Sequence, residues 1–141
     1  KYENVSLMGI SGGGWYTVWL SALMEKIDYS ISYAGGLPLV YNRVRNNEPR
    51  DDWEQIFSYV YKKVDYWQLY WLAGYTDKPN RERKIYLIYN DEDSCCFRDP
   101  EASNFAIIAK QIYAENVSII VDKSKTHTMN VELIKSIWNR H

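Results

Sequence analysis

From Ile85 to Tyr89 the chain reads Ile-Tyr-Leu-Ile-Tyr, with no polar side chain among the five. A strand with one face in water alternates. A strand apolar throughout is buried on both faces, as in a parallel sheet sandwiched between helices. Parallel neighbours cannot be joined by tight hairpins and need crossovers, usually helical. The rest of the sequence supplies them. Val5-Ser6-Leu7-Met8 reads as a first strand, followed by a helical spacing of Trp15, Val18, Trp19, Ala22 and Leu23. Tyr29 to Ala34 alternates as a strand and is closed by Gly35-Gly36 and Pro38. Asn42 to Asp52 reads as a polar loop, with Asp51-Asp52 suited to a helix N-terminus. Trp53 to about Leu72 reads as helical and very aromatic. After the 84–89 strand come a helix from about Pro100 to Ala114, a strand Val117–Val121 and a helix Val131–Trp138. Phe105, Ile108, Ala109 and Ile112 are expected inward on the first of these helices. Val131, Ile134, Ile137 and Trp138 are expected inward on the second. The predicted fold class is α/β, a parallel sheet of about four strands with flanking helices, where ligands gather at the carboxyl ends of the strands.

Composition narrows the function classes. Of 141 residues, 46% are hydrophobic and 25% charged, which suits a globular chain. Lys and Arg number 17 against 18 Asp and Glu, so a nucleic-acid partner held by phosphate neutralisation is not expected. No stretch approaches the roughly 20 apolar residues of a transmembrane segment, and no signal peptide is visible in this sequence. The two cysteines, Cys95 and Cys96, are adjacent. Neighbouring side chains normally diverge, so they are read as packed thiols, not as a disulfide. Metal sites want spaced ligands, and none is predicted, nor is any cofactor.

Gly9-Ile10-Ser11-Gly12-Gly13 fits G-x-S-x-G between a strand and a helix, the context in which the pattern makes a nucleophile elbow. Ser11 would sit on a strained turn whose closure needs neighbours without Cβ, with the helix N-terminus aimed at a developing oxyanion. A glycine-rich phosphate-binding turn is the alternative. However, Trp15 stands where a P-loop has lysine, and the dinucleotide pattern is not met. A serine nucleophile needs a base and an acceptor that orients the base. His127 lies in the loop after the last strand, whereas His141 ends the chain. Asp93 follows the 84–89 strand after a short turn, with Asp91 and Glu92 as rivals, and Asp122 reads as a turn residue or helper near the histidine loop.

With Ser11, Asp93 and His127 in that chain order, the sequence resembles the esterase-type branch of the α/β-hydrolase superfamily. The segment Gly9 to Trp15 resembles the family's elbow after its fifth strand. Leu87 to Asp93 resembles the acid-bearing turn, with Asn90 where glycine is usual, and Thr126-His127-Thr128 resembles the histidine loop. The resemblance implies Ser11 as nucleophile, His127 as general base, Asp93 as orienting acid and Gly12 as one oxyanion donor. It implies a serine hydrolase acting on a small-molecule ester or acyl substrate through an acyl-enzyme. A peptidase or amidase of the same fold, or a non-catalytic binding module, are the alternatives. It covers nearly all of 1–141 but only the C-terminal half of the family fold, so the N-terminal half is expected as a partner. That half would bring four more strands and the second oxyanion donor.

Residues 42–80 fall where the family inserts caps, and are expected to form an aromatic helical cap-like insertion. Trp15, Trp67, Tyr70 and Trp71 are then candidate substrate contacts. The competing reading is core packing, the commoner use of aromatic stripes at helical spacing.

Overall fold

The computed structural model describes residues 4–41, 53–97 and 100–140. Four parallel strands lie side by side in chain order: β1 Ser6–Ile10, β2 Tyr29–Tyr33, β3 Lys84–Asn90 and β4 Val117–Asp122. Between and after them run α1 Gly12–Leu23, α2 Trp53–Ile56, α3 Ser58–Tyr61, α4 Tyr66–Gly74, α5 Glu101–Ile112 and α6 Val131–Trp138. The expected fold class therefore holds. From Ile85 to Asn90, β3 is buried without interruption, between β2 and β4.

Side chains of alternate residues sort the helices. Ser30 and Ser32 of β2 face α1, through a Ser21–Ser30 hydroxyl pair at 2.5 Å and a bond from Ser32 Oγ to the Gly14 carbonyl at 2.9 Å. These small polar residues let α1 sit close on the sheet. Tyr89 of β3 and Tyr70 of α4 meet on the same side, both donating to the Gly36 carbonyl, at 2.7 and 2.9 Å. Phe105 of α5 packs on both rings. On the opposite face, Tyr33 bonds to residue 130 at the start of α6.

The aromatic stretch forms three short helices. Phe57 is extended (φ −62°, ψ 100°) and divides α2 from α3. Asp65 then starts α4 with a capping box: its carboxylate accepts from Gln68 N at 2.9 Å, and Gln68 Oε1 accepts from Asp65 N at 3.0 Å. Asp-x-x-Gln inside the stretch was the signal for this break. The inward faces turn from the expected ones. On α5, Ala102, Phe105, Ala106 and Ala109 are buried, while Ile108 and Ile112 are exposed, because small alanines let the helix lie close to β4. On α6, Ile137 is buried but Val131 and Trp138 are exposed. Leu23 of α1 is exposed as well. The 42–52 loop, the Asp51-Asp52 pair and His141 lie outside the described residues.

Arg83 locks the end of the sheet where strands begin. It is buried, and its guanidinium donates to the carbonyls of Ser21 (2.5 Å), Ile27 (2.8 Å), Leu72 (3.2 Å) and Tyr75 (2.7 Å), joining the ends of α1 and α4 to β3. Opposite the β2 pairing, β1 carries no further strand among the described residues. Val5 and Met8 are exposed there, as are Tyr16, Leu20 and Leu23 along α1. No described helix is long and apolar enough to cross a membrane. Replacing Arg83 by methionine should leave buried carbonyls without donors, each worth about 1–3 kcal/mol. The urea midpoint is expected to fall by the equivalent of more than about 2 kcal/mol, with the far-ultraviolet spectrum retained below it.

Candidate active site

Ser11 stands between β1 and α1 with φ 56° and ψ −127°, a conformation that residues with a Cβ rarely take. It is held there from both sides. Ser11 N donates to the Tyr33 carbonyl at the end of β2 (2.9 Å), and Ser11 O accepts from Trp15 N (3.0 Å). The turn is so tight that a Cβ on Gly9 would collide with the carbonyl of Gly13. At Gly12 and Gly13, by contrast, a Cβ would meet nothing within 4 Å, so the need for glycine falls on the first position of the motif. The Ser11 side chain makes no cap bond to its own helix. Gly12, as the first helical residue, has an N–H with no intrahelical acceptor.

After β3 the chain wraps Asp93 completely. This carboxylate has no exposure, and its Oδ1 accepts from the backbone N–H groups of Cys95 (2.7 Å) and Cys96 (3.1 Å). His127 Nδ1 lies 2.9 Å from Oδ2 and 3.1 Å from Oδ1. Burial by itself would raise the Asp93 pKa. The bonds from His127 and the two amides outweigh it and hold the carboxyl below its usual range. Asp93 is therefore ionised at neutral pH, and an ionised carboxylate can only accept. His127 Nδ1 must then carry the proton, which in the neutral ring leaves Nε2 as an acceptor.

The rival acids go elsewhere. Asp91 N extends the β4 pairing by donating to the Asp122 carbonyl at 2.9 Å, and Glu92 pairs with Lys125 at 3.4 Å on the surface. Asp122, read as a turn residue or helper, accepts from Tyr33 Oη at 3.0 Å and from Asn130 Nδ2 at 3.2 Å. Ser11, Asp93 and His127 thus follow β1, β3 and β4 at one edge of the sheet, with Asp93 and His127 in direct contact. Ser11 and His127 share no hydrogen bond here.

One expectation is corrected. Cys95 and Cys96 are not separate thiols but are bridged to each other. The turn that aims both their amides at Asp93 also brings the neighbouring side chains together. Tyr70 is fully buried with its hydroxyl committed to Gly36, so it belongs to the core. Trp15 and Trp67 also pack against the core, whereas Trp71 is exposed. Trp15 Nε1 donates to Tyr61 Oη at 2.8 Å, tying α1 to α3. Trp67 sits edge-on to Phe105 with centroids 5.2 Å apart. Trp71, on the outer side of α4, stacks on Tyr75 at 4.4 Å, near the helix end that Arg83 holds. Sequence reading passed over Asn90 and Tyr33 as site residues, although Asn90 stood out as a departure from glycine. A cavity of about 190 Å³ lined by Ser6, Tyr29, Tyr86 and Trp138 lies toward the strand starts, away from Ser11. The described residues hold no group of three or more His, Cys, Asp or Glu able to bind a metal.

No family model matches the sequence, and neither does any curated protein. Solved structures do. An acylaminoacyl peptidase of Pyrococcus horikoshii superposes over 99% of this chain with a TM-score of 0.63 and 18% identity. The fold is that of the α/β-hydrolases, in its C-terminal half. An esterase of Pyrococcus furiosus superposes over 99% of the chain with a TM-score of 0.53 and 12% identity. The chain spans 24% of the peptidase and 51% of the esterase. Both are larger α/β-hydrolase structures into which these four strands fit.

Gly9→Ala is expected to cost about 1–3 kcal/mol through the forced shift of the elbow, read as a lower thermal midpoint, while Gly13→Ala stays near wild type. A second expectation concerns pH. A carboxyl depressed on folding stabilises the fold above its unfolded pKa of about 3.9, and that contribution is lost as pH falls toward the folded value. The stability gap between wild type and Asp93→Asn should therefore narrow in acid below about pH 4, measured as urea midpoints across pH.

Proposed function

We propose that this chain carries the reacting residues of a serine hydrolase that cleaves carboxylic esters through an acyl-enzyme. The observation that carries the reading is the buried, ionised Asp93 bonded to His127 Nδ1, at the same sheet edge as Ser11 on its strained turn. In this reading Ser11 Oγ attacks the ester carbonyl and His127 Nε2 takes its proton. Asp93 holds the Nδ1–H tautomer and stabilises the imidazolium. The Gly12 N–H donates to the developing oxyanion, and the alcohol leaves with the proton from His127. Water, activated by the same imidazole, then releases the acid.

The second oxyanion donor would come from an N-terminal half docked along the open edge of β1 and the exposed Tyr16, Leu20 and Leu23 of α1. Removing one such donor elsewhere costs about 10²–10³ in turnover, so full activity belongs to the completed fold. Hydrolysis of amides is the second reading, favoured by the likeness to a peptidase and served by the same groups.

The test is intact mass of the complete protein after a fluorophosphonate probe. One adduct on Ser11, absent in Ser11→Ala, is expected; a folded protein that stays unlabelled would shift the reading to a binding module. Asp93→Asn should lower turnover of a p-nitrophenyl ester about 10⁴-fold, because its amide would donate to Nδ1 and reverse the tautomer. Comparing that ester with an N-acyl amino acid p-nitroanilide separates the two substrate readings.

A further inference from the structure

We infer that Asn90 is a positioning residue, a buried clamp that fixes the acid turn and the histidine loop relative to each other; the inference rests on the triad reading. Asn90 is the last residue of β3 and has no exposure. Its Oδ1 accepts from Tyr33 Oη at 2.9 Å. Its Nδ2 reaches three acceptors: Asp93 Oδ2 at 3.3 Å, the Thr126 carbonyl at 2.8 Å and the Thr128 carbonyl at 3.3 Å. The Asp93 oxygen is the one that also meets His127 Nδ1 at 2.9 Å. The two carbonyls are those on either side of His127, and Thr128 N donates to Thr126 O at 2.8 Å, so His127 sits at the apex of a three-residue turn. One amide group therefore grips both partners of the Asp93–His127 bond.

The amide can sit only one way round. All three neighbours of the nitrogen are acceptors, so the oxygen must face Tyr33, whose single hydroxyl proton is shared between Asn90 Oδ1 at 2.9 Å and Asp122 Oδ2 at 3.0 Å. Burial, partly offset by the Asn130 N–H and reinforced by Asp122, pushes the Tyr33 pKa up to about 12, so the donor is present throughout the working pH range. Tyr33 is itself placed by β2 and bonds to Asp122 at 3.0 Å and to Asn130 N at 3.2 Å. The position where the resemblance expects a glycine thus carries a side chain that links β2, β3 and the loop after β4.

A side chain of this kind acts on geometry, so its loss should lower kcat and leave KM alone. Misplacing a catalytic group by about 1 Å can cost on the order of 10² in rate. In the complete protein, Asn90→Ala is expected to reduce kcat for a p-nitrophenyl ester about 10²-fold with KM within twofold of wild type. Proton NMR gives a readout independent of turnover. The low-field His127 Nδ1 proton, sharp in wild type and in Ser11→Ala, should broaden or vanish in Asn90→Ala. Should Asn90→Ala fail to fold, Tyr33→Phe keeps the ring and removes the hydroxyl that bonds to Asn90 Oδ1, Asp122 and Asn130 N. It should lower kcat several-fold and broaden the same resonance. Wild-type kcat, or a loss of kcat with the His127 resonance unmoved, would overturn the clamp. Full turnover in Ser11→Ala would instead overturn the triad reading, whatever the resonance shows.

Discussion

A carboxylate with no access to water must find its solvation inside the protein, and much of the candidate site follows from how Asp93 does so. Leaving such a charge unpaired would cost several kcal/mol. The Cys95 and Cys96 amides, the Asn90 amide and the His127 imidazole together surround it. Each donor dictates local structure. The two backbone amides require a tight turn directly after Asp93, the Asn90 amide requires the turn to begin where β3 ends, and the imidazole requires the loop after β4 to fold back over it. The charge of Asp93 in turn settles which histidine nitrogen holds the proton.

The sheet makes this arrangement possible by assigning its two ends different tasks. At the strand starts, Arg83 gathers the ends of α1 and α4, and the chain there is a set of satisfied carbonyls. At the strand ends, Ser11, Asp93 and His127 follow β1, β3 and β4, and Tyr33 of β2 reaches across beneath them. Aromatic rings fill the space between α1, α4 and α5, with their polar tips bonded to one another and to the chain. Tyr61 Oη takes Trp15 Nε1 and donates to Tyr66, which donates to the Gln55 carbonyl. Such a network uses tyrosine and tryptophan as building material, which accounts for an aromatic content that a reader of the sequence could assign to a substrate pocket.

Much of the architecture was legible residue by residue. The uninterrupted apolar run at 85–89 called for a doubly covered parallel strand, and the glycines around Ser11 called for a tight turn between strand and helix. Both are local demands, met by the chain whatever surrounds it. Asp93 was separable from Asp91 and Glu92 only by counting residues past the strand end, and in the structure it is the Asp93 carboxylate that lies against His127 Nδ1. The faces of α5 and α6 were misjudged because periodicity gives a stripe but not its width. Alanines allow a close approach that larger residues at the same spacing do not.

The sequence by itself determined the order of elements, the parallel sheet, the glycine-bound turn at Ser11 and the chain order of serine, acid and histidine, since all of these rest on near neighbours. Tertiary structure decided the rest. It joined Cys95 to Cys96, buried Tyr70 and brought Asn90 and Tyr33 to the Asp93–His127 pair. Asn90 bonds with residues 36 and 38 positions away, and Tyr33 with one 97 positions away. No periodicity or motif records such pairs, because the hydrogen bonds exist only once distant strands lie side by side.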